Sequence, residues 1–401
     1  MNFLINSGDI MNYQLADVAH QLQGQPMFKV LSKVKELESQ GVDICHFELG
    51  DPDFETPSNI VDAGCKSIKN GDTHYEVSDG NIDFRKVICE TTERNRGFKP
   101  KINQVLVTPG ANIIIYYVIR CLVNPGDDVL VPDPGFPSYC SVLNFCNVNP
   151  IHVPLYEKNE FRMNPKDVEN AITDKTRMII INSPNNPTGS TMTPDEIKKI
   201  YEIAEDYDVY VYSDEIYARM TFDEEYEFST PGIYDKCEKR TIIANGFSKT
   251  FAMTGWRLGA SIAPQFLTEK MSLLLQTTSS CVSPFIQKAG IEAITGNQDQ
   301  IQNMMEEYKK RRDILVKGLN DIEGISCLKP GGAFYVFPNI TKTGLSSDEF
   351  TDLMLKEGHV SLLPGNNFGE CGEGYVRLCY AVSEERIVEG LNRIKNTLNN
   401  Y

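Results

Sequence analysis

The chain has 401 residues and a formal net charge of −16 at pH 7, so we expect two domains and no binding to nucleic acid, whose phosphates require clustered Lys and Arg. The eleven cysteines show no CxxC pair and no zinc-type spacing, which predicts reduced thiols, no metal site and a cytoplasmic location. No stretch approaches the ~20 apolar residues of a membrane span, and the N-terminus lacks a basic, apolar leader, so we expect neither insertion nor export.

Short β-branched runs alternate with helical patterns along the chain, which is typical of a mostly parallel sheet covered by helices. The predicted strands are 105–108, 129–132, 178–182, 209–213, 241–244 and 258–263. A helix start follows the third run, with Thr193 as N-cap, Pro194 at the first helical position and Glu196 placed for a capping box. Ligands bind at the carboxyl ends of the strands in such sheets, so functional residues are expected there.

A loop with small residues follows the first predicted strand. It reads Pro109-Gly110-Ala111-Asn112 and leads into an apolar helical run. Exposed N–H groups at a helix N-terminus bind phosphate, helped by the helix dipole. An ordinary connection between a strand and a helix is the alternative interpretation.

The run from 245 to 259 reads NGFSKTFAMTGWRLG and follows the predicted strand 241–244. Lys249 has Phe247 and Phe251 as neighbours and can be partly desolvated, which makes its amine a better nucleophile toward a carbonyl. Arg257 keeps its charge and offers a planar fork of donors that fits phosphate oxygens. Lys249 is therefore predicted to form a Schiff base with an aldehyde, and Arg257 is predicted to anchor a phosphate.

The run resembles the active-site segment of the class I and II pyridoxal-phosphate aminotransferases, the aspartate aminotransferase family of fold type I, over fifteen positions. Further motifs follow in family order from about Gly24 onward. The resemblance implies an α/β fold with a large cofactor-binding domain at 61–310, whose mostly parallel seven-stranded sheet is flanked by helices. It also implies a smaller α+β domain built from both chain ends, 1–60 with an N-terminal arm and 311–401. Pyridoxal 5′-phosphate as cofactor and a homodimer are implied as well.

The resemblance also implies roles for single residues. Asp214 would keep the pyridine nitrogen protonated, and Tyr217 and Asn186 would stabilise the ring oxygen O3′. Phe136 would stack on the ring, where relatives usually have Trp or Tyr. The expected contacts to the cofactor phosphate are Gly110, Ala111, Asn112, Ser248 and Arg257, joined by Tyr75 from the partner chain. The implied catalytic residues are Lys249, Asp214 and Tyr217.

Two further positions are expected to bind the substrate. Arg377 would clamp its α-carboxylate, and Gly50 would let the backbone approach the same group. The amino donor stays open, because Asn112 stands where aspartate-specific relatives often carry a lysine. Lys29 is either a replacement cation or a solvated lysine. Gly246 replaces a hydroxyl residue of many relatives, which leaves Ser248 as the hydroxyl contact to the phosphate.

The resemblance implies an aminotransferase that moves an amino group between an amino acid and a 2-oxo acid or other carbonyl acceptor by a ping-pong mechanism. The alternative is a decarboxylase of amino acids or phosphorylated amino acids on the same fold, because the orientation of the labile bond cannot be read from sequence. The family pattern also predicts cis peptide bonds at Asp133-Pro134 and Asn186-Pro187.

Overall fold

The computed structural model describes residues 15–22, 24, 26–223 and 228–401. Its α-helices are α1 (Pro26–Ser39), α2 (Ser58–Lys69), α3 (Ile82–Arg96), α4 (Asn112–Leu122), α5 (Ser138–Phe145), α6 (Pro165–Ala171), α7 (Pro194–Asp206), α8 (Gly232–Asp235), α9 (Gln265–Ser279), α10 (Pro284–Thr295), α11 (Asp299–Asn320), α12 (Ser347–Lys356) and α13 (Glu384–Asn400). Its strands are β1 (Cys45–His46), β2 (Val105–Thr108), β3 (Asp128–Asp133), β4 (Asn149–Pro154), β5 (Thr176–Asn182), β6 (Tyr210–Asp214), β7 (Thr241–Gly246), β8 (Gly259–Ile262), β9 (Tyr335–Val336), β10 (Val360–Ser361), β11 (Leu363–Pro364) and β12 (Val376–Cys379).

Within the described residues, a seven-stranded sheet has the order β2-β8-β7-β6-β5-β3-β4. The strand β8 runs antiparallel to both of its neighbours, whereas the other pairs are parallel. The predicted α/β fold with a mostly parallel sheet is therefore confirmed. All six predicted strands are present, and their ends differ from the predicted ones by at most two residues.

Helices cover both faces of this sheet. On one face, Ile114 of α4 and Met271 of α9 share a buried cluster with Val129 of β3. On the other face, Ile197 of α7 packs in a cluster with Val211 of β6. Because the central strands are buried on both sides, they read as continuous apolar runs rather than as alternating ones.

The predicted start of α7 is confirmed. Thr193 Oγ1 accepts a hydrogen bond from the Glu196 amide at 3.2 Å, and Glu196 Oε2 accepts one from the Thr193 amide at 2.9 Å. Pro194 occupies the first helical position, where a missing N–H costs nothing. This local pattern fixes the helix register independently of tertiary packing.

The two ends of the chain meet outside the large sheet. The strand β1 pairs in parallel with β10, and β11, β12 and β9 form an antiparallel sheet. This pairing agrees with an α+β unit that uses both chain ends. The predicted boundary at residue 310 lies within α11, and the division of the chain into domains stays a prediction. No helix in the described part of the chain has both the length and the apolar character needed to cross a membrane.

Candidate active site

A cavity of about 440 Å³ opens at the carboxyl ends of β5 and β6. Asn182 and Asp214, the last residues of these strands, lie in its wall together with the first residue of α4, Asn112. The predicted site residues in the wall are Gly50, Ala111, Asn112, Phe136, Asn186, Asp214, Tyr217, Ser248, Lys249 and Arg257. The fold thus brings together residues from six separate parts of the sequence at the sheet edge where ligands are expected.

One end of the cavity is positively polarised. The Nη1 of Arg257 donates a hydrogen bond to the Thr254 carbonyl at 2.9 Å, which holds the side chain in place. A Cβ on Gly110 would lie 2.4 Å from Arg257 Nη2, so glycine at this position gives the guanidinium its room. The helix α4 begins at Asn112, and its first N–H groups have no partner within the helix. A helix N-terminus beside a guanidinium suits a phosphate.

Asp214 is a partly buried acid in the wall of the cavity. The Tyr139 hydroxyl donates to its Oδ2 at 2.6 Å, and the Ile216 amide donates to its Oδ1 at 3.2 Å. Burial raises the pKa of Asp214 to about 6, although these hydrogen bonds act in the opposite direction. A positively charged ring nitrogen placed against this carboxylate would stabilise the ionised form, and the carboxylate would in turn hold the proton on the nitrogen.

Lys249 presents a partly buried amine to the same cavity. Its Nζ donates a hydrogen bond to the Gly50 carbonyl at 2.6 Å and lies 5.6 Å from the centre of the Phe334 ring. Burial lowers the pKa of Lys249 to about 8, against the opposing charge of Asp51. The neutral amine is therefore accessible near physiological pH, as a nucleophile or a general base requires.

A pair of tyrosines closes one side of the cavity. The hydroxyls of Tyr217 and Tyr335 lie 2.8 Å apart, and both side chains are buried. Burial raises the pKa of Tyr217 well above its ordinary value, so its hydroxyl keeps its proton. A Cβ on Gly50 would lie 2.1 Å from Tyr335 Oη, so the close approach of this loop requires glycine.

Arg377 is fully buried beside the cavity rather than in its wall. Its Nη1 donates to Asn186 Oδ1 at 3.1 Å, and its Nη2 donates to the Glu48 carbonyl at 2.5 Å. Its guanidinium carbon lies 4.5 Å from the centre of the Tyr335 ring, and its Nε has no hydrogen-bond partner among the residues that the structure describes. Arg377 reaches the cavity through Asn186, and its contact with a substrate carboxylate stays a prediction.

The remaining predictions concern the surroundings of the site. Phe136 lies in the cavity wall with its ring at 83° to that of Tyr139. Tyr75 is 89 % exposed and does not line the cavity of its own chain. Lys29 belongs to α1, but its side chain lies outside what the structure describes. The cis bonds predicted at Asp133-Pro134 and Asn186-Pro187 are confirmed, and Ser183-Pro184 is cis as well.

Sequence reasoning missed Tyr139 and Tyr335 as site residues. Tyr139 lies in the first turn of α5, and its amide donates to the Phe136 carbonyl at 3.1 Å, so the turn after Phe136 brings it to the site. Tyr335 begins the two-residue strand β9. Its role depends on the approach of Tyr217, which lies 118 residues earlier and leaves no local pattern.

The residues 42–394 match the family model of aminotransferase class I and II. The chain belongs to this family. It is 40% identical over 372 residues to an aspartate aminotransferase of Pyrococcus horikoshii, covering 92% of this chain and 94% of that protein. It is 39% identical over 365 residues to the aromatic-amino-acid aminotransferase 2 of Thermococcus litoralis, covering 90% of this chain and 93% of that protein.

Solved structures lead to the same assignment. The fold is similar to that of an alanine aminotransferase from Pyrococcus furiosus, with a TM-score of 0.92 and 32% identity over 97% of this chain and 100% of that one. It is also similar to that of an aspartate aminotransferase from Thermus thermophilus with maleate. The TM-score is 0.92 and the identity is 30% over 96% of this chain and 100% of that one. The predicted family and aminotransferase activity are thereby confirmed, and nothing supports the decarboxylase alternative. The family generally depends on pyridoxal phosphate.

Proposed function

We propose that this aminotransferase binds pyridoxal 5′-phosphate in the 440 Å³ cavity and attaches it covalently at Lys249. The observation that carries the proposal is the convergence of three groups in one cavity. They are a partly buried amine of lowered pKa at Lys249, a partly buried acid of raised pKa at Asp214 and the guanidinium of Arg257 at a helix N-terminus. A lysine or an acid that only stabilised the fold would not require the other two groups in the same cavity.

The residues present fit this cofactor. Arg257 and the N-terminus of α4 suit its phosphate, and Gly110 leaves the space that the guanidinium needs. Asp214 suits a protonated ring nitrogen, and the aromatic face of Phe136 suits a flat ring. When bound, the cofactor supplies an electron sink for cleavage of a bond at the substrate Cα.

The chain's own residues supply binding and proton transfer. Once the amino group of the substrate has displaced Lys249 from the cofactor, the neutral Nζ of Lys249 would take the Cα proton, and the resulting ammonium would deliver that proton to C4′ of the cofactor. A pKa of about 8 suits both transfers. The partly buried carboxylate of Asp214 would hold the proton on the ring nitrogen. Arg377, held by hydrogen bonds to Asn186 and to the Glu48 carbonyl, and the loop at Gly50 would bind the substrate carboxylate. The hydroxyl of Tyr217, positioned by that of Tyr335, and the side chain of Asn186 would contact the ring oxygen.

The substrate side chain is proposed to be apolar. Met27, Leu31, Leu49 and Ile115 lie in the cavity wall. The cations that the described wall contains, Lys249 and Arg257, are already assigned to the reacting end and to the phosphate. Asp51 in the same wall would repel a second carboxylate.

We therefore expect a higher kcat/KM for leucine and phenylalanine than for aspartate. Asn112→Lys should shift the ratio toward aspartate by about tenfold, because it adds a cation to the wall. Steady-state rates with a panel of amino donors measure both effects, and Asn112→Gln is the matched neutral control. A wild-type preference for aspartate would contradict the proposal. If that preference disappeared in Lys29→Gln, Lys29 would be the cation that reads the substrate.

The protein is further proposed to be an obligate homodimer, with Tyr75 of one chain completing the phosphate site of the other. The position of Tyr75 supports this proposal. Tyr75 is 89 % exposed and lies outside the cavity of its own chain, although the segment Gly71-Asp72-Thr73-His74-Tyr75 resembles the family motif whose tyrosine reaches the cofactor phosphate of the partner. A two-fold dimer makes such a contact reciprocal, so each chain gives one tyrosine and receives one.

Complementation tests the dimer. Tyr75→Phe and Lys249→Ala should each impair activity, and equal mixing after dissociation should restore up to about one quarter of the wild-type sites, because half of the dimers are hybrids with one intact site each. Tyr156→Phe, at another exposed tyrosine, is the control and should keep full activity. The test needs a clearly impaired Tyr75→Phe variant. Sedimentation that shows an active monomer at assay concentration would refute the dimer.

A cytoplasmic location is also proposed. All eleven cysteines lie within the described residues and are free. Disulfides form and persist in oxidising compartments, so a chain with this many free thiols suits a reducing one.

A further inference from the structure

A smaller cavity of about 60 Å³ is lined in part by the turn that carries Lys249. Phe247 and Thr250 line this cavity, whereas Lys249 itself lines the active-site cavity. The rest of its wall includes the C-terminal end of α3 and the last residues of β7. Two arginines, Arg96 and Arg219, also lie in this wall, and the function proposed above uses neither of them.

Arg96 is a buried cation with an unused donor. Its side chain is 6% exposed, and its Nε donates to Glu215 Oε2 at 2.6 Å. The other oxygen of Glu215 accepts hydrogen bonds from Thr230 at 2.5 Å and from Ser213 at 3.1 Å. The Nη2 of Arg96 has no hydrogen-bond partner in the described part of the chain. A buried donor without an acceptor is unfavourable, so a ligand that supplies an acceptor would stabilise this group.

Arg219 adds a second guanidinium to the same cavity. Its guanidinium carbon lies 5.3 Å from the centre of the Phe251 ring, and the residue is exposed, so solutes can reach it. Desolvation of the part of Arg219 that packs against its neighbours, followed by the positive charges of Arg96 and Arg94, lowers the pKa of Arg219. An anion bound beside this guanidinium would offset the repulsion from Arg96 and Arg94.

We propose that this cavity binds a small oxyanion, a phosphate or a carboxylate, between Arg96 Nη2 and the guanidinium of Arg219. Both ligands match the planar donor fork of arginine. Thr250 lies in the same wall, and its hydroxyl would supply a neutral donor. The site is distinct from the one at Arg257, and it does not depend on the proposed cofactor.

Thermal unfolding of the full-length, cofactor-loaded protein tests the proposal, with inorganic phosphate and acetate as probes and sodium chloride to keep the ionic strength constant. At least one probe should raise Tm saturably, because a ligand that binds only the native state stabilises it. The probe that raises Tm shows whether the cavity binds a phosphate or a carboxylate. Arg219→Gln should abolish the rise and should fold normally, since the position is exposed. Arg177→Gln, at an exposed arginine of β5, should keep it.

A separate variant excludes the phosphate site of the active centre. A rise that survives in Arg257→Gln and disappears in Arg219→Gln supports the proposal. A rise that disappears only in Arg257→Gln, or one that is unchanged in Arg219→Gln, overturns it, as does the absence of any saturable rise with either probe. None of these readouts uses enzymatic activity, so the result stands apart from the proposed function.

Discussion

Replacing Lys249 by alanine is expected to abolish aminotransferase activity and to leave the fold intact. Among the described residues that line the active-site cavity, Lys249 is the only lysine, so no other amine there can exchange the Cα proton. A loss of more than about 10⁴-fold follows, at the upper end of what a positioned acid–base group contributes. Single-turnover rates with an amino donor measure the loss. Mass spectrometry after borohydride reduction should find the cofactor on the wild-type chain and not on the variant.

Two controls separate the amine from its charge and from lysines in general. Lys249→Arg keeps a cation but cannot lose its proton, and should be as inactive as the alanine variant. Lys99→Ala removes an exposed lysine that pairs with Glu93 and should behave like the wild type. The cofactor-free Lys249→Ala chain should not be less stable than the wild type, because burial already disfavours the charged amine. A reducible adduct on another lysine, or turnover within tenfold of the wild type, would remove Lys249 from the mechanism.

The sequence was sufficient wherever the signal is local. Lys249 and Arg257 lie in one connection between β7 and β8, so their spacing along the chain already sets their spacing in the site. The buried strands were predicted because a strand covered on both faces needs an unbroken apolar run. The start of α7 follows from three neighbouring residues, with Thr193 and Glu196 bonding each other's amides.

The rest depends on contacts between distant parts of the chain. Arg377 donates to a carbonyl 329 residues away, and Lys249 to one 199 residues away, so neither partner leaves a pattern in the sequence around it. The edge strand β4 was missed because it begins Asn149-Pro150 and is only partly buried, and edge strands tolerate such residues. Likewise, the raised pKa of Asp214 results from burial, which becomes known only once helices and strands are packed.

Replacing Asp214 by asparagine is expected to change activity and stability in opposite directions. Activity should fall about 10³-fold, the range for loss of one preorganised electrostatic group. In the cofactor-free chain, the free energy of unfolding at pH 8 should rise by up to about 3 kcal/mol, because asparagine removes a charge that burial disfavours. Turnover with an amino donor measures the first effect, and urea unfolding at several pH values measures the second.

The pH dependence of this stability difference has a definite sign. The folded pKa of Asp214, about 6, lies above its ordinary value of 3.8, so the folded chain holds a proton that the unfolded chain releases between these values. The stability due to that proton is fully present below about pH 4 and is lost as the pH rises through 6. The advantage of the asparagine variant should therefore be absent near pH 4, grow up to about pH 6 and stay constant above it.

Opposite signs in one variant distinguish a functional acid from a structural one. Replacing an acid that serves the fold lowers the stability of the protein. Ionised Asp214 instead destabilises the fold, unless a cationic partner in the cavity offsets this cost. Asp208→Asn, at an exposed acid beside Arg240, is the control and should change neither quantity appreciably. Tyr139→Phe removes the hydroxyl that donates to Asp214 and should raise the carboxyl pKa of Asp214 further. The loss of stability with rising pH should therefore extend to a higher pH in this variant than in the wild type. Loss of stability at pH 8 in Asp214→Asn, together with near-normal turnover, would show that the carboxylate serves the fold and not the reaction.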